Sequence, residues 1–170
     1  MVPAMTLSGG KHMDKTKKKI TLGDVSFRPM RMDDLDRVLE IEQQCYIDPW
    51  HRDNFEYEIS VSSVSKMMVL EIKDTLVGYM GLWILPPEIH ITNLAVAPDY
   101  RFHGLGSYML EYVIHLAYDM RIKQITLEVR HNNMAALALY RKFGFEIKGI
   151  RKNYYAAEKA HALIMSRTVR

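Results

Sequence analysis

Ile91-Thr92-Asn93-Leu94-Ala95-Val96-Ala97-Pro98-Asp99-Tyr100-Arg101-Phe102-His103-Gly104-Leu105-Gly106 decides how this chain is read. Its first half belongs to a strand, His90 to Val96, which Pro98 ends. Its second half is a short loop carrying Gly104 and Gly106. A helix follows, with Met109, Leu110, Val113, Leu116, Ala117 and Met120 on one apolar face at three- and four-residue spacing. The first turn of such a helix has N–H groups without intrahelical acceptors, and the macrodipole adds positive potential there. Glycines let the loop backbone approach an anion because no Cβ intervenes. Arg101 and His103 flank the pair. The segment lacks the third glycine of a dinucleotide fingerprint and the Gly-Lys-Ser/Thr of a P-loop, so it is neither. Taken alone, it reads as a phosphate cradle or as a plain turn.

The second informative stretch is Leu127-Glu128-Val129-Arg130-His131-Asn132-Asn133-Met134-Ala135-Ala136-Leu137-Ala138-Leu139-Tyr140-Arg141-Lys142-Phe143-Gly144-Phe145. Glu128 lies on a strand, Gln124 to Val129, with its side chain opposite those of Leu127 and Val129. By itself it is a solvent-facing strand residue or a functional carboxylate. Tyr140 lies on a helix from Met134 to Phe143, which Gly144 ends as a left-handed cap. It reads equally as a core aromatic. His90, at the start of its strand, reads singly as structural.

Further strands are predicted over Val25–Arg31, Lys66–Ile72, Leu76–Leu85, Phe145–Lys152 and His161–Thr168, with a turn at Lys73-Asp74-Thr75. A helix is predicted from Asp33 to Cys45, with Asp33 and Asp34 in its first turn and Leu35, Val38, Leu39 and Glu42 at helical spacing. Tyr46-Ile47-Asp48-Pro49-Trp50 separates it from a second helix, Asp53 to Ile59. Strands cluster with helices between them instead of alternating strictly. The expected fold is therefore α/β: a mixed sheet with helices on both faces.

At 170 residues the chain fits one domain with a full core. Its 48% hydrophobic and 25% charged residues are those of a soluble globular protein. A net charge of +3 excludes a strongly cationic nucleic-acid coat and suits a phosphorylated ligand. No DNA partner is expected. The single cysteine, Cys45, rules out an intrachain disulfide and fits a reducing cytoplasm. It reads as a small buried hydrophobe on its helix. No apolar run approaches the ~18–20 residues that span a bilayer, so no membrane partner is expected. The histidines show no metal-ligand spacing, and no metal is expected. Residues 1–24 read as a basic lead-in, poorly ordered or tag-derived, with Lys15 to Lys19 a solvated cluster. Residues 25–170 read as one domain.

Together the two stretches resemble the GNAT superfamily of acetyl-coenzyme A-dependent N-acetyltransferases, over roughly Val25 to Thr168. The joint occurrence, in order and at family spacing, is highly specific. Arg151-Lys152-Asn153-Tyr154-Tyr155 is similar to a narrower group, the RimI-type and archaeal amino-terminal acetyltransferases with the catalytic subunits of their eukaryotic relatives. The resemblance implies a mostly antiparallel sheet of about seven strands with a splayed central pair, flanked by about four helices, and acetyl-coenzyme A seated in the splay. It implies that the backbone of Leu94, Ala95 and Val96 pairs with the pantetheine arm. It further implies that Arg101, Phe102, His103, Gly104, Leu105, Gly106 and Ser107 form the pyrophosphate loop and that Asn133 touches the cofactor. Glu128 would be the general base, Tyr140 would sit near the sulfur, and His90 would help order a deprotonating water. Tyr46, Pro49 and Trp50 on one side, and Tyr154 and Tyr155 on the other, would hold a peptide substrate.

The implied reaction is direct attack of a neutral α-amino group of a protein N-terminus on the thioester, with the N–H of Val96 polarising the oxyanion. Ribosomal proteins or the ribosome are candidate partners, and a monomer or weak dimer is expected. Two departures stand out. Phe102 and His103 replace positions where relatives often carry Arg or Gln. The tip Ala156-Ala157-Glu158-Lys159-Ala160 is shorter and less acidic than in several relatives, which bears on peptide preference. Rival readings are acetylation of lysines or small-molecule amines, and a non-catalytic acetyl-coenzyme A sensor or complex subunit.

Overall fold

The computed structural model describes residues 22–155 and 160–169. The rest of the lead-in and the tip 156–159 lie outside the described residues. Leu22–Asp24, assigned above to the lead-in, form a 3-10 turn, and the Asp24 carbonyl accepts the N–H of Lys73 at 3.3 Å.

One seven-stranded sheet runs through the described residues, in the order β1-β2-β3-β4-β5-β7-β6. The strands are β1 (Val25–Pro29), β2 (Ser65–Ile72), β3 (Thr75–Leu85), β4 (Glu88–Val96), β5 (Gln124–Arg130), β6 (Glu146–Tyr155) and β7 (Ala160–Thr168). Every pair is antiparallel except β4 and β5. Helices α1 (Leu35–Cys45) and α2 (Arg52–Ser60) cover one face, and α3 (Leu105–Asp119) and α4 (Met134–Lys142) cover the other. Two cores follow. Leu35, Val38, Ile41 and Phe55 pack on Val69, Tyr79 and Ala95. Met109, Leu110, Val113 and Leu137 pack among Met80, Leu82, Ile91 and Leu127. Central strands are thus buried on both sides, which is why Met67–Leu70 and Leu76–Leu82 are continuous runs of buried residues. None of the described helices is long and apolar enough to cross a membrane.

Local chemistry explains where the elements begin and end. Lys73 and Asp74 both take positive φ, 49° and 64°, in the two-residue turn joining β2 to β3. The helix expected from Asp33 starts instead as a 3-10 turn, Met32–Asp34, with α1 proper beginning at Leu35. The Asp34 carboxylate turns back to accept the N–H of Arg31 at 2.7 Å. It also takes a two-pronged bond from Arg28, which bonds Glu71 of β2 as well. Gly144 closes α4 at φ 77°, as the sequence predicts. Strand β6 runs to Tyr155, beyond the expected Lys152, because irregularities between Ile147 and Gly149 and between Arg151 and Tyr155 interrupt its register without ending it.

The parallel pair positions the site. β4 and β5 are in register at Glu88↔Gln124, Ile89↔Ile125, His90↔Thr126 and Ile91↔Leu127, and no further. Beyond that point β4 continues on β3 alone and β5 on β7 alone. The parting coincides with a bulge. The β3–β4 register slips between Gly81 and Leu82, so that Thr92 is the extra residue on β4. A bulge bends its strand and raises its twist. Gly81 leaves room for it, since a Cβ there would lie 2.5 Å from Thr92 Oγ1.

Gly78 shows how tightly the departing strand is held. A Cβ at this position would lie 2.7 Å from the backbone oxygen of Ala95. Gly78→Ala is expected to cost about 1–3 kcal/mol, as overpacking against a rigid partner does. Urea unfolding measures it, and unchanged stability would show that the β3–β4 ladder yields.

Candidate active site

In a strand, a residue's N–H and C=O point to the same edge, and the edge alternates along the chain. The N–H of Ala97 bonds the carbonyl of Val77 at 2.8 Å, so Ala97, and with it Ala95, face β3. Leu94 and Val96 therefore face the gap left by β5. Their carbonyls bear this out. That of Leu94 accepts the hydroxyl of Tyr46 at 3.1 Å, and that of Val96 accepts Arg101 Nε at 3.1 Å and the Cys45 thiol at 3.5 Å. Of the three residues expected to pair with a pantetheine arm, Leu94 and Val96 offer their polar groups and Ala95 does not.

The gap opens into a cavity of about 640 Å3. Three side-chain atoms of residues lining it, Glu42 Oε2, Thr92 Oγ1 and Asn93 Oδ1, are buried without a hydrogen-bond partner among the described residues. Buried polar atoms ordinarily find partners, and here a bound molecule or water would supply them. A thioester-bearing arm with amide groups fits such a gap: it offers donors and acceptors to the free edge of β4 and to these atoms.

Glu128, His90 and Tyr140 all line this cavity. Glu128 is no open solvent-facing residue. Its side chain is 18% exposed, and Oε1 meets Arg151 Nε at 3.1 Å. His90 is half-buried between the Trp83 ring, 5.8 Å away, and β5, where its Nδ1 lies 2.9 Å from Thr126 Oγ1. Burial pushes the imidazole below its usual range, against the pull of the Glu128 and Glu88 carboxylates. Tyr140 is 8% exposed, with its ring 5.8 Å from Phe145. It is thus a core aromatic that also lines the cavity.

The glycine loop precedes α3 with Gly104 as N-cap at φ 80°, and a Cβ there would meet open space. The first intrahelical bond is Tyr108 N–H to the Gly104 carbonyl, so the N–H groups of Leu105, Gly106 and Ser107 have no intrahelical acceptor. The loop's side chains point elsewhere. Arg101 reaches back to Val96 and Cys45, His103 donates from Nδ1 to the Arg101 carbonyl at 2.8 Å, Phe102 is 96% exposed, and Leu105 is in the core. None of the loop residues lines the cavity itself. An anion held here would meet the backbone N–H groups of Leu105, Gly106 and Ser107. Asn133 lines the cavity, but its Oδ1 caps α4 by accepting the N–H of Ala136 at 3.2 Å.

The other wall comes from the segment between α1 and α2. Tyr46 and Trp50 line the cavity and Pro49 does not. Burial, with the Tyr140 phenol nearby, raises the pKa of the Tyr46 hydroxyl. Cys45, read as a buried hydrophobe, is half-buried at the end of α1, with its thiol pushed up by burial. Tyr154 lines the opposite side at 50% exposure, with Arg151 5.5 Å from its ring. Tyr155 is on β6 in register with Ala160, and its side chain is outside the described parts.

Sequence reasoning missed Glu42. Its place in an apolar repeat concealed a carboxyl that is 1% exposed and accepts the Trp50 N–H at 2.8 Å. Burial pushes its pKa up to about 7 from 4.5. Between those values the folded chain binds more protons at this group than the unfolded chain does. Its contribution to stability therefore falls as pH rises from about 4.5 to about 7. Glu42→Gln, a mimic of the neutral acid, is expected to raise Tm at pH 8 relative to wild type and to change it little at pH 4.5. Parallel pH dependences in the two proteins, followed by thermal unfolding, would remove this assignment.

The model of the acetyltransferase (GNAT) family matches residues 35–145. N-alpha-acetyltransferase RimI of Mycobacterium tuberculosis (strain ATCC 25618 / H37Rv) is 36% identical over 140 residues, 79% of this chain and 86% of its own. The crystal structure of the ribosomal-protein-S18-alanine N-acetyltransferase from Escherichia coli superposes with a TM-score of 0.78 at 28% identity, covering 85% of this chain and 94% of that one. Arabidopsis thaliana Naa50, in complex with the bisubstrate analogue CoA-Ac-MVNAL, gives 0.74 at 25% identity, covering 85% and 98%. The family model spans more than half of the chain and the parted strands accord with it: this chain belongs to the GNAT family of acetyltransferases.

Proposed function

We propose that the chain transfers an acetyl group from acetyl-coenzyme A to the α-amino group of a protein N-terminus, with ribosomal proteins as candidate acceptors and the cytoplasm as the setting. The observation that carries this reading is the convergence of Glu128, His90 and Tyr140 on one cavity beside the free edge of β4. The S18-alanine N-acetyltransferase and the peptide–coenzyme A analogue bound by Naa50 support the choice of acceptor.

Acetyl-coenzyme A would supply the acetyl group activated as a thioester. Leu94 and Val96 would hold its arm along β4, and the first-turn N–H groups of Leu105, Gly106 and Ser107 its pyrophosphate. The N–H of Val96 would polarise the thioester carbonyl. Glu128, through a water shared with His90, takes one proton from the amine as the nitrogen–carbon bond forms. Tyr140 gives one proton to the sulfur as the carbon–sulfur bond breaks. Proton loss and gain balance, and the products are an amide and a thiol. Tyr46, Trp50 and Tyr154, with Tyr155, would flank the entering peptide.

The acceptor's own chemistry favours an N-terminus. At pH 7, neutralising an α-amino group costs about 1 kcal/mol and neutralising a lysine about 4.6 kcal/mol. A carboxylate acting through water suffices for the first.

Glu128→Gln is expected to lower turnover by about 10²-fold or more, the size of a general-base contribution, while acetyl-coenzyme A binding measured by calorimetry persists. Unchanged turnover would remove Glu128 as base. Tyr140→Phe should slow turnover without unfolding the chain, and wild-type rates would leave Tyr140 as packing only. Mass spectrometry of peptides varied at positions one and two locates the acetyl group. Modification of internal lysines and never of the amino terminus overturns the proposal, and binding of acetyl-coenzyme A without any transfer favours the sensor reading.

A further inference from the structure

Three side chains form a hydrogen-bonded row across the first three of the four paired rungs of β4 and β5. Thr126 Oγ1 lies 2.5 Å from Glu88 Oε1 and 2.9 Å from His90 Nδ1. His90 and Thr126 are register partners, and Thr126 is 7% exposed. A hydroxyl has one proton to give, and an ionised carboxylate can only accept. The Thr126 proton therefore goes to Glu88. The contact with His90 is then possible in one sense only, with Nδ1–H donating to the Thr126 oxygen. The tautomer of a neutral imidazole is set by the bond its other nitrogen makes. Nε2 is left with a lone pair on a ring that lines the cavity.

We propose that Glu88 and Thr126 are positioning residues that hold His90 as the Nδ1–H tautomer, so that Nε2 is its proton-accepting atom in the cavity. The row also fixes the ring plane one rung before the last that β4 and β5 share, where a mobile side chain would be free to swing into the gap. Burial keeps the ring neutral, while Glu88, Glu128 and Arg151 are the charged groups around it. The functional consequence rests on the acetyl-transfer reading above. The tautomer does not.

Thr126→Val keeps the β-branched shape and removes the acceptor, and Thr126→Ser keeps the acceptor. With 15N-labelled histidine, NMR of the wild-type protein should show His90 protonated at Nδ1 and unprotonated at Nε2. Thr126→Val should lose that pattern and lower kcat for an N-terminal peptide by about tenfold, part of the about 10²–10⁴ that positioned acid–base groups contribute. KM for acetyl-coenzyme A should be unchanged. The acidic limb of the pH–rate profile, where the imidazole becomes protonated, should move, and Thr126→Ser should restore both tautomer and rate. A wild-type His90 protonated at Nε2 overturns the proposal. So does a Thr126→Val protein with the wild-type rate. A chain that acetylates no peptide refutes the functional reading instead, and the NMR result alone then decides whether the row holds the tautomer.

Discussion

Strands β4 and β5 share four rungs and then part, and what lies in the gap depends on that divergence. Two neighbouring strands that separate in the middle of a sheet leave backbone donors and acceptors unpaired, which is costly unless something else satisfies them. The chain bears this because each strand is held on its far side, β4 by β3 up to Val96 and β5 by β7 up to Arg130. The bulge at Thr92 turns β4 away at the point where its ladder to β5 ends. The exposed edge at Leu94 and Val96 is then met by Tyr46, Arg101 and Cys45. These contacts satisfy carbonyls in the free protein. The corresponding N–H groups remain as an edge on which an extended ligand can add as a strand does.

The gap also sorts charge. Acids at Glu42, Asp48, Glu88 and Glu128 and guanidinium groups at Arg130 and Arg151 line one cavity with the half-buried His90. Three of these acids meet different partners. Glu128 faces Arg151, Glu88 takes the Thr126 proton, and Glu42 sits in apolar surroundings against the backbone of Trp50.

Both substrate-facing walls are anchored to the same strands. On one side Tyr46 bonds Leu94, while Glu42 bonds Trp50 and Trp50 packs on Phe55, so the α1–α2 segment is tied to α1 and to β4. On the other, Arg151 links β6 to Glu128 of β5 and lies against Tyr154. Both walls are therefore tied to the strands that carry His90 and Glu128.

Local patterns were enough to determine the α/β class and most elements to within two or three residues, and family spacing picked out Glu128, His90 and Tyr140, which line one cavity. Periodicity and turn chemistry are short-range, so Gly104, Gly144, the Lys73-Asp74 turn and the apolar face of α3 were legible from neighbours alone. What the sequence concealed is long-range. Arg101 flanks the glycine pair, but its guanidinium reaches back to Val96 and Cys45. Glu42 looked like one position of an apolar repeat but is a buried acid. Ala95 looked equivalent to Leu94 and Val96 but faces β3. Thr126 and Glu88 carried no signal at all. Each of these depends on a partner about 8 to 56 residues away in the chain or on which edge of a strand faces the gap. Only the tertiary structure decides such pairings, because they follow from where the strands part and not from any residue's neighbours in sequence.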